Sequence, residues 1–179
     1  MKSKNLSSAD NQQERLKFIG WIVGFVDADG CFTISFFKHP KSRLRLKWEV
    51  FPEFVIAQEI KSKSALKKVK KFFGCGKLYL NKRYDNHHEH LLKYVVRNRQ
   101  DLLTKIIPFF EKNLLQTAKK NDFRIFARII RMMNKGKHLK SPGLEKIWLM
   151  VQKMNTRKYR KFKNPQRPYA EPTNNYKLR

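Results

Sequence analysis

Two carboxylates stand at the end of the longest apolar run of the chain. The run extends from Phe18 to Val26, and Asp27 and Asp29 follow it, just before Gly30. If the run is helical, both carboxylates lie at the C-terminal end of the helix, where the macrodipole is already negative. A cation is needed to compensate this charge, so the segment is the first candidate for a reactive site.

The residues before these carboxylates predict a helix that is buried on more than one side. The pattern from Leu16 to Val26 is apolar almost all round, and we expect the helix to start near Glu14 and to stop at Gly30, as a chain-reversing glycine. Gly20 and Gly24 lie one helical turn apart, and each costs helix stability relative to alanine. Their shared face is explained if another backbone approaches it closely.

Two hairpins are predicted after this helix. Residues Cys31–Phe37 and Arg43–Val50 alternate between apolar and polar side chains on either side of a turn. A second pair of alternating segments covers 77–83 and 92–97. In each strand one face is expected to pack on the core, while the other presents polar and charged side chains.

Helical spacing returns in the rest of the chain. It predicts an amphipathic helix over 60–73, then helices over 98–110, 121–133 and 144–155. The order α-β-β-α-β-β-α-α-α predicts an α+β domain with an antiparallel sheet. We divide the chain into a flexible leader (1–13), one folded domain (14–155) and a basic C-terminal arm (156–179).

The charge of the chain indicates its class of partner. There are 41 Lys+Arg against 14 Asp+Glu, a formal net charge of +27. Such a surface repels itself, and a folded domain retains it when a polyanion offsets the repulsion. The 13% aromatic content excludes disorder throughout. Because the apolar run is too short to span a bilayer and the N-terminal residues lack a secretory pattern, nucleic acid is expected and a membrane is not.

The segment Ile22-Val23-Gly24-Phe25-Val26-Asp27-Ala28-Asp29-Gly30 resembles the LAGLIDADG motif of homing endonucleases. The last four residues and the first glycine match letter for letter, and the others are apolar at apolar positions. The resemblance covers residues 14 to about 155 with one copy of the motif. It implies an α-β-β-α-β-β-α core with an antiparallel saddle sheet and C-terminal helices.

The resemblance also implies an activity. It is that of a homodimeric, site-specific double-strand DNA endonuclease of intron homing, which hydrolyses phosphodiester bonds across the minor groove of a long, near-palindromic site. Two motif helices would pack at the subunit boundary through Gly20, Val23, Gly24 and Asp27. Each Asp29, with the Ala28 carbonyl beside it, would bind Mg²⁺ or Mn²⁺, for which hard oxygen ligands are suited.

Two further catalytic roles are carried over from the family. Gln58 ends the segment 54–58, which resembles the strand end where the family places a polar residue that organises the attacking water. Lys119 takes the role of the basic residue that organises the phosphate, with Lys120 as the alternative, because both precede the long helix at the expected place.

The hairpins would form the DNA-facing saddle, since a two-stranded ribbon fits the major groove. Arginine suits guanine, asparagine suits adenine, and glutamate can accept from cytosine, whereas the lysines of 61–71 and of the arm are expected on phosphates. Strand alternation selects as DNA contacts Thr33, Ser35, Arg43, Arg45, Lys47, Glu49, Tyr79, Asn81, Arg83, Lys93 and Arg97.

Other interpretations of the same residues stay open. The alternative function is a maturase-like protein that binds intron RNA without cleavage, which the basic arm permits. A basic ribosomal-type protein would explain the charge but not the acidic helix end. The cluster His87–His90 offers metal ligands without partners at the usual spacing, so a hairpin tip that touches DNA is favoured. The lysine-rich, asparagine-rich composition predicts an organellar gene, with chloroplast favoured over mitochondrion.

Overall fold

The computed structural model describes residues 8–41, 46–82 and 89–154. Its fold is α+β, as the sequence predicts. The helices are α1 (Ser8–Asp29), α2 (Lys63–Phe73), α3 (Arg99–Asp101), α4 (Ile107–Lys112), α5 (Lys119–Asn134) and α6 (Ser141–Val151). The strands are β1 (Gly30–Lys38), β2 (Trp48–Glu59), β3 (Lys77–Asn81) and β4 (Leu91–Val96). Short 3-10 turns cover Ile60–Ser62 and Lys137–Leu139, and a π-helical segment, Leu102–Ile106, joins α3 to α4.

The four strands form one sheet in the order β1-β2-β4-β3. β4 is antiparallel to both of its neighbours: Ile56 of β2 and Leu78 of β3 are each paired with Tyr94. The side chains of Ile56 and Tyr94 are fully buried. This face of β2–β4–β3 is called the covered face below, and the other, where Lys93 lies between Ala57 and Tyr79, is called the open face.

The described residues belong to two compact units, one drawn from 1–32 and 53–120 and the other from 33–52 and 121–179. The first unit has an aromatic core. The Phe54 ring is stacked on Phe32, with 5.1 Å between ring centres, and is edge-on to Phe110, with 5.7 Å between ring centres. Such ring pairs contribute about 0.5–1.5 kcal/mol each beyond the area that they bury. The second unit buries one side of α5 and of α6, including Phe126 and Ile147.

The helix predicted over 98–110 is a continuous helical run with a wide turn inside it. Asn98 caps it by accepting a hydrogen bond from the backbone N–H of Asp101 at 3.0 Å. In the π-helical segment the N–H of Ile107 bonds to the carbonyl of Leu102 rather than to a residue four positions back. Pro108 follows at once, and because proline has no N–H and crowds the preceding turn, the wide turn accommodates it.

Several element boundaries differ from the sequence-based prediction. The first helix starts at Ser8, so it includes residues 8–13 of the predicted leader, while residues 1–7 and 155–179 lie outside the described ones. The polar residues 8–13 carry no apolar periodicity that would have indicated this extension. Within the described residues, no helix is long and apolar enough to cross a membrane.

β2 starts at Trp48, not at Arg43. Lys47 precedes it with a left-handed φ of 58°, and its carbonyl accepts a hydrogen bond from the N–H of His39 at 2.9 Å. Lys47 is therefore a turn residue, because a left-handed backbone cannot continue a strand. Its assignment to a strand face by alternation was wrong.

Gly30 has a different role from the predicted one. The described glycines with positive φ are Gly74, Gly76 and Gly136, so Gly30 does not stop the helix by a left-handed turn. A Cβ on Gly30 would lie 2.6 Å from Val26 Cγ1 and 2.7 Å from the Val26 carbonyl oxygen. The glycine is required because β1 leaves the last turn of α1 too closely for any side chain.

Candidate active site

The C-terminal end of α1 brings the predicted catalytic residues together. Ile22 and Val26 are fully buried and fix one side of the helix in the core. Ala28 and Asp29 are exposed at the end of the helix. Asp29 lies three residues after Val26, on the same side of the helix but beyond the buried turns, so that a carboxylate and a carbonyl oxygen are open to a ligand at the helix end.

Asp27 accepts hydrogen bonds from the loop that precedes α5. Its carboxylate accepts from the Gln116 N–H at 2.7 Å, from the Thr117 N–H at 3.2 Å and from the Thr117 hydroxyl at 2.7 Å. Burial alone would raise the pKa of Asp27, but these hydrogen bonds and the nearby Lys119 charge outweigh it and hold the pKa below its usual value. Asp27 is predicted at a dimer interface; in this chain it anchors a loop.

Lys119 supplies the cation that the acidic helix end requires. Its Nζ donates to the carbonyl oxygens of Val26 at 2.8 Å, Asp27 at 2.8 Å and Ala28 at 3.1 Å. The last carbonyls of a helix have no partner within the helix and carry the negative end of the macrodipole. One ammonium group therefore compensates the C-terminus of α1, and this contact distinguishes Lys119 from Lys120.

Gln58 lies at the end of β2 and binds the motif carboxylate directly. Its Nε2 donates to Asp29 Oδ2 at 2.6 Å. Asp29, Gln58 and Lys119 thus surround the same helix end, each carried by a different element: α1, β2 and the start of α5. Their catalytic roles stay a prediction, but their convergence agrees with it.

Sequence reasoning missed Gln116 and Thr117. The stretch from Glu111 to Ala118 is longer than the family resemblance leads one to expect, and this extra length was the available signal. The loop uses two backbone N–H groups and one hydroxyl to hold Asp27, and the Thr117 hydroxyl also accepts from the Lys119 N–H at 3.3 Å. The loop thus joins the Asp27 side chain to Lys119, whose ammonium bonds to the helix-end carbonyls.

The oxygen donors at this end suit a hard divalent cation. Asp29 offers a carboxylate, and the Ala28 carbonyl, although it accepts from Lys119, has a second lone pair. Both are ligands that Mg²⁺ or Mn²⁺ accepts. Among residues 8–41, 46–82 and 89–154 no group of three or more His, Cys, Asp or Glu side chains is suitably placed for a metal ion. The described part of the chain thus presents one carboxylate and one carbonyl oxygen at this helix end.

The predicted DNA contacts divide by unit. In the first, Tyr79 and Lys93 lie opposite each other on the open face, and Asn81 shares their side of β3. In the second, Thr33 and Ser35 alternate with buried neighbours along β1, and Glu49 is exposed and bonded to His39 at 3.2 Å. Of the other predicted contacts, Arg43, Arg45 and Arg83 lie outside the described residues, and Lys47 lies outside β2.

Arg97 follows β4 and is held by two neighbours on the open face. Its Nε donates to Glu53 Oε1 at 2.5 Å, and its guanidinium carbon lies 5.3 Å from the centre of the Tyr79 ring. Glu53 was not among the predicted residues. Its parity along β2, opposite to that of the buried Phe54, was the signal that could have found it.

The glycine face of α1 is exposed. A Cβ built on Gly20 or on Gly24 would meet no atom within 4 Å in the described part of the chain. Leu16 and Trp21 flank the glycines with 61% and 39% of their surface exposed, and Val23 is half-buried. Two glycines in mid-helix cost stability, and nothing within this chain's described residues explains that cost.

Comparisons with known proteins support the family resemblance. The sequence model of LAGLIDADG endonucleases matches residues 22–130. A relative from Mycosarcoma maydis, "Probable intron-encoded DNA endonuclease 1", is 33% identical over 125 residues, which cover 70% of this chain and 42% of that protein. The chain thus spans less than half the length of that relative.

Solved structures match across most of the described fold. The homing endonuclease I-TnaI is 37% identical with a TM-score of 0.67, covering 76% of this chain and 87% of that one. I-LtrWI, a LAGLIDADG homing endonuclease solved with its target DNA, is 28% identical with a TM-score of 0.68, covering 87% of this chain and 46% of that one. From the motif, the fold and these matches, the chain belongs to the LAGLIDADG endonuclease family.

Proposed function

We propose that the protein is a site-specific double-strand DNA endonuclease of intron homing that acts as a homodimer and requires Mg²⁺ or Mn²⁺. The observation that carries the proposal is the convergence of Asp29, Gln58 and Lys119 on one exposed helix end. The names of its relatives and the DNA-bound structure of I-LtrWI support this class of activity. We also propose an organellar gene, of a chloroplast in preference to a mitochondrion.

Each residue of the site has a physical task in phosphodiester hydrolysis. Asp29 and the Ala28 carbonyl would hold the cation, which when bound lowers the pKa of water and balances the charge on the phosphate. The Gln58 amide fixes the orientation of Asp29 through its 2.6 Å hydrogen bond. The Lys119 ammonium places a positive charge at the same helix end, where it opposes the charge that builds on a phosphate as the bond breaks.

The number of acids and the glycine face support the proposed dimer. The 179 residues hold one motif and one Asp29, so a second copy of the chain would supply the acid for the other strand. Gly20, Val23 and Gly24 lie on or beside the exposed face of α1, where two helices can approach closely. A two-fold symmetric dimer makes the same contacts twice, and this predicts a near-palindromic site. Asp27 would enter this interface while it anchors the 116–117 loop.

The test uses a plasmid that carries the joined exons of the gene in which this reading frame lies. We expect the protein to linearise the supercoiled plasmid with Mg²⁺ and to leave it intact with EDTA. Asp29→Asn should lower the cleavage rate by roughly 100-fold or more and should leave binding of the site within about threefold. Asp10→Asn, an exposed acid at the other end of α1, is the matched control. Cleavage in EDTA, or full activity of Asp29→Asn, would overturn the proposal.

A second candidate, an RNA-binding maturase-like protein, has one observation in its favour. α2 packs Leu66, Val69 and Phe73 inward. The ring centre of Phe73 lies 6.3 Å from that of Phe54 on the covered face of the sheet. The outer side of α2 carries only basic charge and points away from the open face; the exposed lysines are Lys63, Lys67, Lys68, Lys70 and Lys71. A duplex bound to the open face would lie on the opposite side of the sheet from them. If intron RNA binds with an affinity that falls when these lysines become glutamine while cleavage persists, both functions hold.

A further inference from the structure

Within the proposed DNA-binding function, we infer that Glu53, Tyr79 and Arg97 form one prearranged guanine-reading unit, in which Glu53 is the positioning residue. The inference rests on the proposed function, because it names how the open face would select one base pair. We call these three residues the Arg97 unit.

Glu53 and Tyr79 lie on β2 and β3, and Arg97 directly follows β4, the strand between them. Phe54 is paired with Val96, so the next residues outward, Glu53 and Arg97, face each other across the β2–β4 ladder. Tyr79 is on β3, on the far side of β4 from β2. All three lie on the open face, because their neighbours Phe54, Leu78 and Val96 have the opposite parity.

The contacts hold the guanidinium in a defined orientation. Glu53 accepts a hydrogen bond from Nε, and the guanidinium carbon lies 5.3 Å from the centre of the Tyr79 ring, within the range of a cation–π interaction. An arginine held by a carboxylate and an aromatic ring loses less side-chain entropy when it binds, since the orientation is set beforehand. The side chain of Arg97 is 47% exposed, so the held group still meets solvent, whereas Glu53 is 21% exposed and lies deeper.

The surroundings provide room for a base edge. Arg97 and Tyr79 border a cleft of about 400 Å³ whose other polar residues are Lys77, Asn98 and Asp101. The bond to Glu53 uses Nε, one of the five N–H donors of an arginine guanidinium. Guanine presents two acceptors, O6 and N7, in the major groove, and an arginine fork is the side chain that matches them.

Glu53 places a negative charge on a surface proposed to bind DNA, and its positioning role explains why that charge is there. A carboxylate on a DNA-facing surface repels phosphates and therefore weakens binding to every sequence equally. An exposed ion pair contributes little to folding stability, so stability alone does not account for it. If Glu53 orients Arg97, the same carboxylate raises the discrimination between base pairs while it lowers affinity for DNA in general. These two effects have opposite signs and can be measured separately.

The experiment compares the full-length protein with Glu53→Gln, Arg97→Met, Tyr79→Leu and Glu145→Gln. The last variant removes one exposed acid from α6 and is the matched control. Each protein is incubated with a library of duplexes in which every base pair of the cleavable site is varied, and with an unrelated duplex. A thermal unfolding curve for each variant verifies folding.

At a single G·C pair of the site, the ratio of affinities for G·C over the other base pairs should be roughly tenfold or more lower for Arg97→Met than for the wild type. Glu53→Gln should lose preference at that same pair while its binding to unrelated duplex becomes tighter. Tyr79→Leu should lose part of the preference there. Wild-type protein should bind a site with 7-deazaguanine at that position more weakly than the normal site, because N7 is missing while O6 remains as an acceptor. Glu145→Gln should leave the preferences unchanged.

Two results would overturn the inference in distinguishable ways. If Glu53→Gln binds all duplexes more tightly with an unchanged preference at every pair, as Glu145→Gln is expected to do, Glu53 contributes charge only and the inference fails while the proposed function stands. If wild-type protein selects no site from the library, the proposed function fails, and the Arg97 unit has nothing to read.

Discussion

Replacing Lys119 with methionine tests whether one ammonium group both stabilises the end of α1 and serves the reaction. Methionine keeps much of the side-chain length and removes the charge and the donors. Lys119 makes three charge-assisted hydrogen bonds, at 2.8, 2.8 and 3.1 Å. One such bond contributes about 1.5–3 kcal/mol. The three share one ammonium group in a partly exposed position and do not add fully, so we expect a loss of about 3 kcal/mol.

A loss of this size is measurable by thermal unfolding. For a chain of this length, 1 kcal/mol corresponds to about 2–4 °C in Tm, so Lys119→Met should unfold roughly 6–12 °C below the wild type. Lys120→Met is the matched control, because it removes the same charge from the adjacent residue, and its Tm should change by about 2 °C or less. Cleavage is then compared at a temperature where both variants are folded, and only Lys119→Met should be inactive.

Equal Tm values for the two variants would refute the assignment of Lys119 as the helix-end cation. If Lys120→Met were inactive and Lys119→Met cut normally, the stabilising and catalytic lysines would be different residues. The two measurements are independent, so either half of the reasoning can fail alone.

Three further predictions follow from the same helix. Hydrogen bonds hold the pKa of Asp27 below its usual range, so its contribution is complete above the unfolded-state pKa of about 3.9 and is lost as pH falls through the folded-state pKa. The free energy of unfolding, measured in urea, should therefore fall less between pH 6 and pH 3 for Asp27→Asn than for the wild type. The same dependence on pH in both proteins would contradict this. Gly24→Ala meets no atom within 4 Å and should stabilise the helix by up to about 1 kcal/mol, yet weaken the dimer in sedimentation equilibrium. An unchanged dimer would show that the glycine face is not the interface. Gly30→Ala would place a Cβ 2.7 Å from the Val26 carbonyl oxygen and should cost about 1–3 kcal/mol in denaturant unfolding. An unchanged unfolding midpoint would contradict that steric argument.

Periodic features of the fold could be predicted from sequence. The order of helices and strands, the end of α2 at Phe73 and the covered face of the sheet all follow from apolar spacing and turn residues, which are local signals. The family resemblance added Gln58 and Lys119, and the structure places both against the motif helix. Here local pattern and tertiary structure agree, because each apolar face has a partner to pack on.

The rest depended on contacts between distant residues. The bonds from Gln116 and Thr117 to Asp27 join positions 89 and 90 residues apart, and no periodicity indicates such a pairing. The role of Gly30 likewise depends on the path of β1 past Val26. The prediction that Lys47 lies on a strand face was wrong because its left-handed backbone ends the strand, although the alternation of side chains in the sequence continues through it.

One short segment, residues 116–119, contacts the final turn of α1 in two ways. Its backbone N–H groups donate to the Asp27 carboxylate, and the Lys119 ammonium donates to the carbonyl oxygens of the helix end. Because both contacts are made to α1 itself, we expect a mutation that changes the angle of this helix to keep the Lys119 ammonium beside the helix end. The contact between Asp29 and Gln58, which β2 carries, is the one that such a mutation would alter.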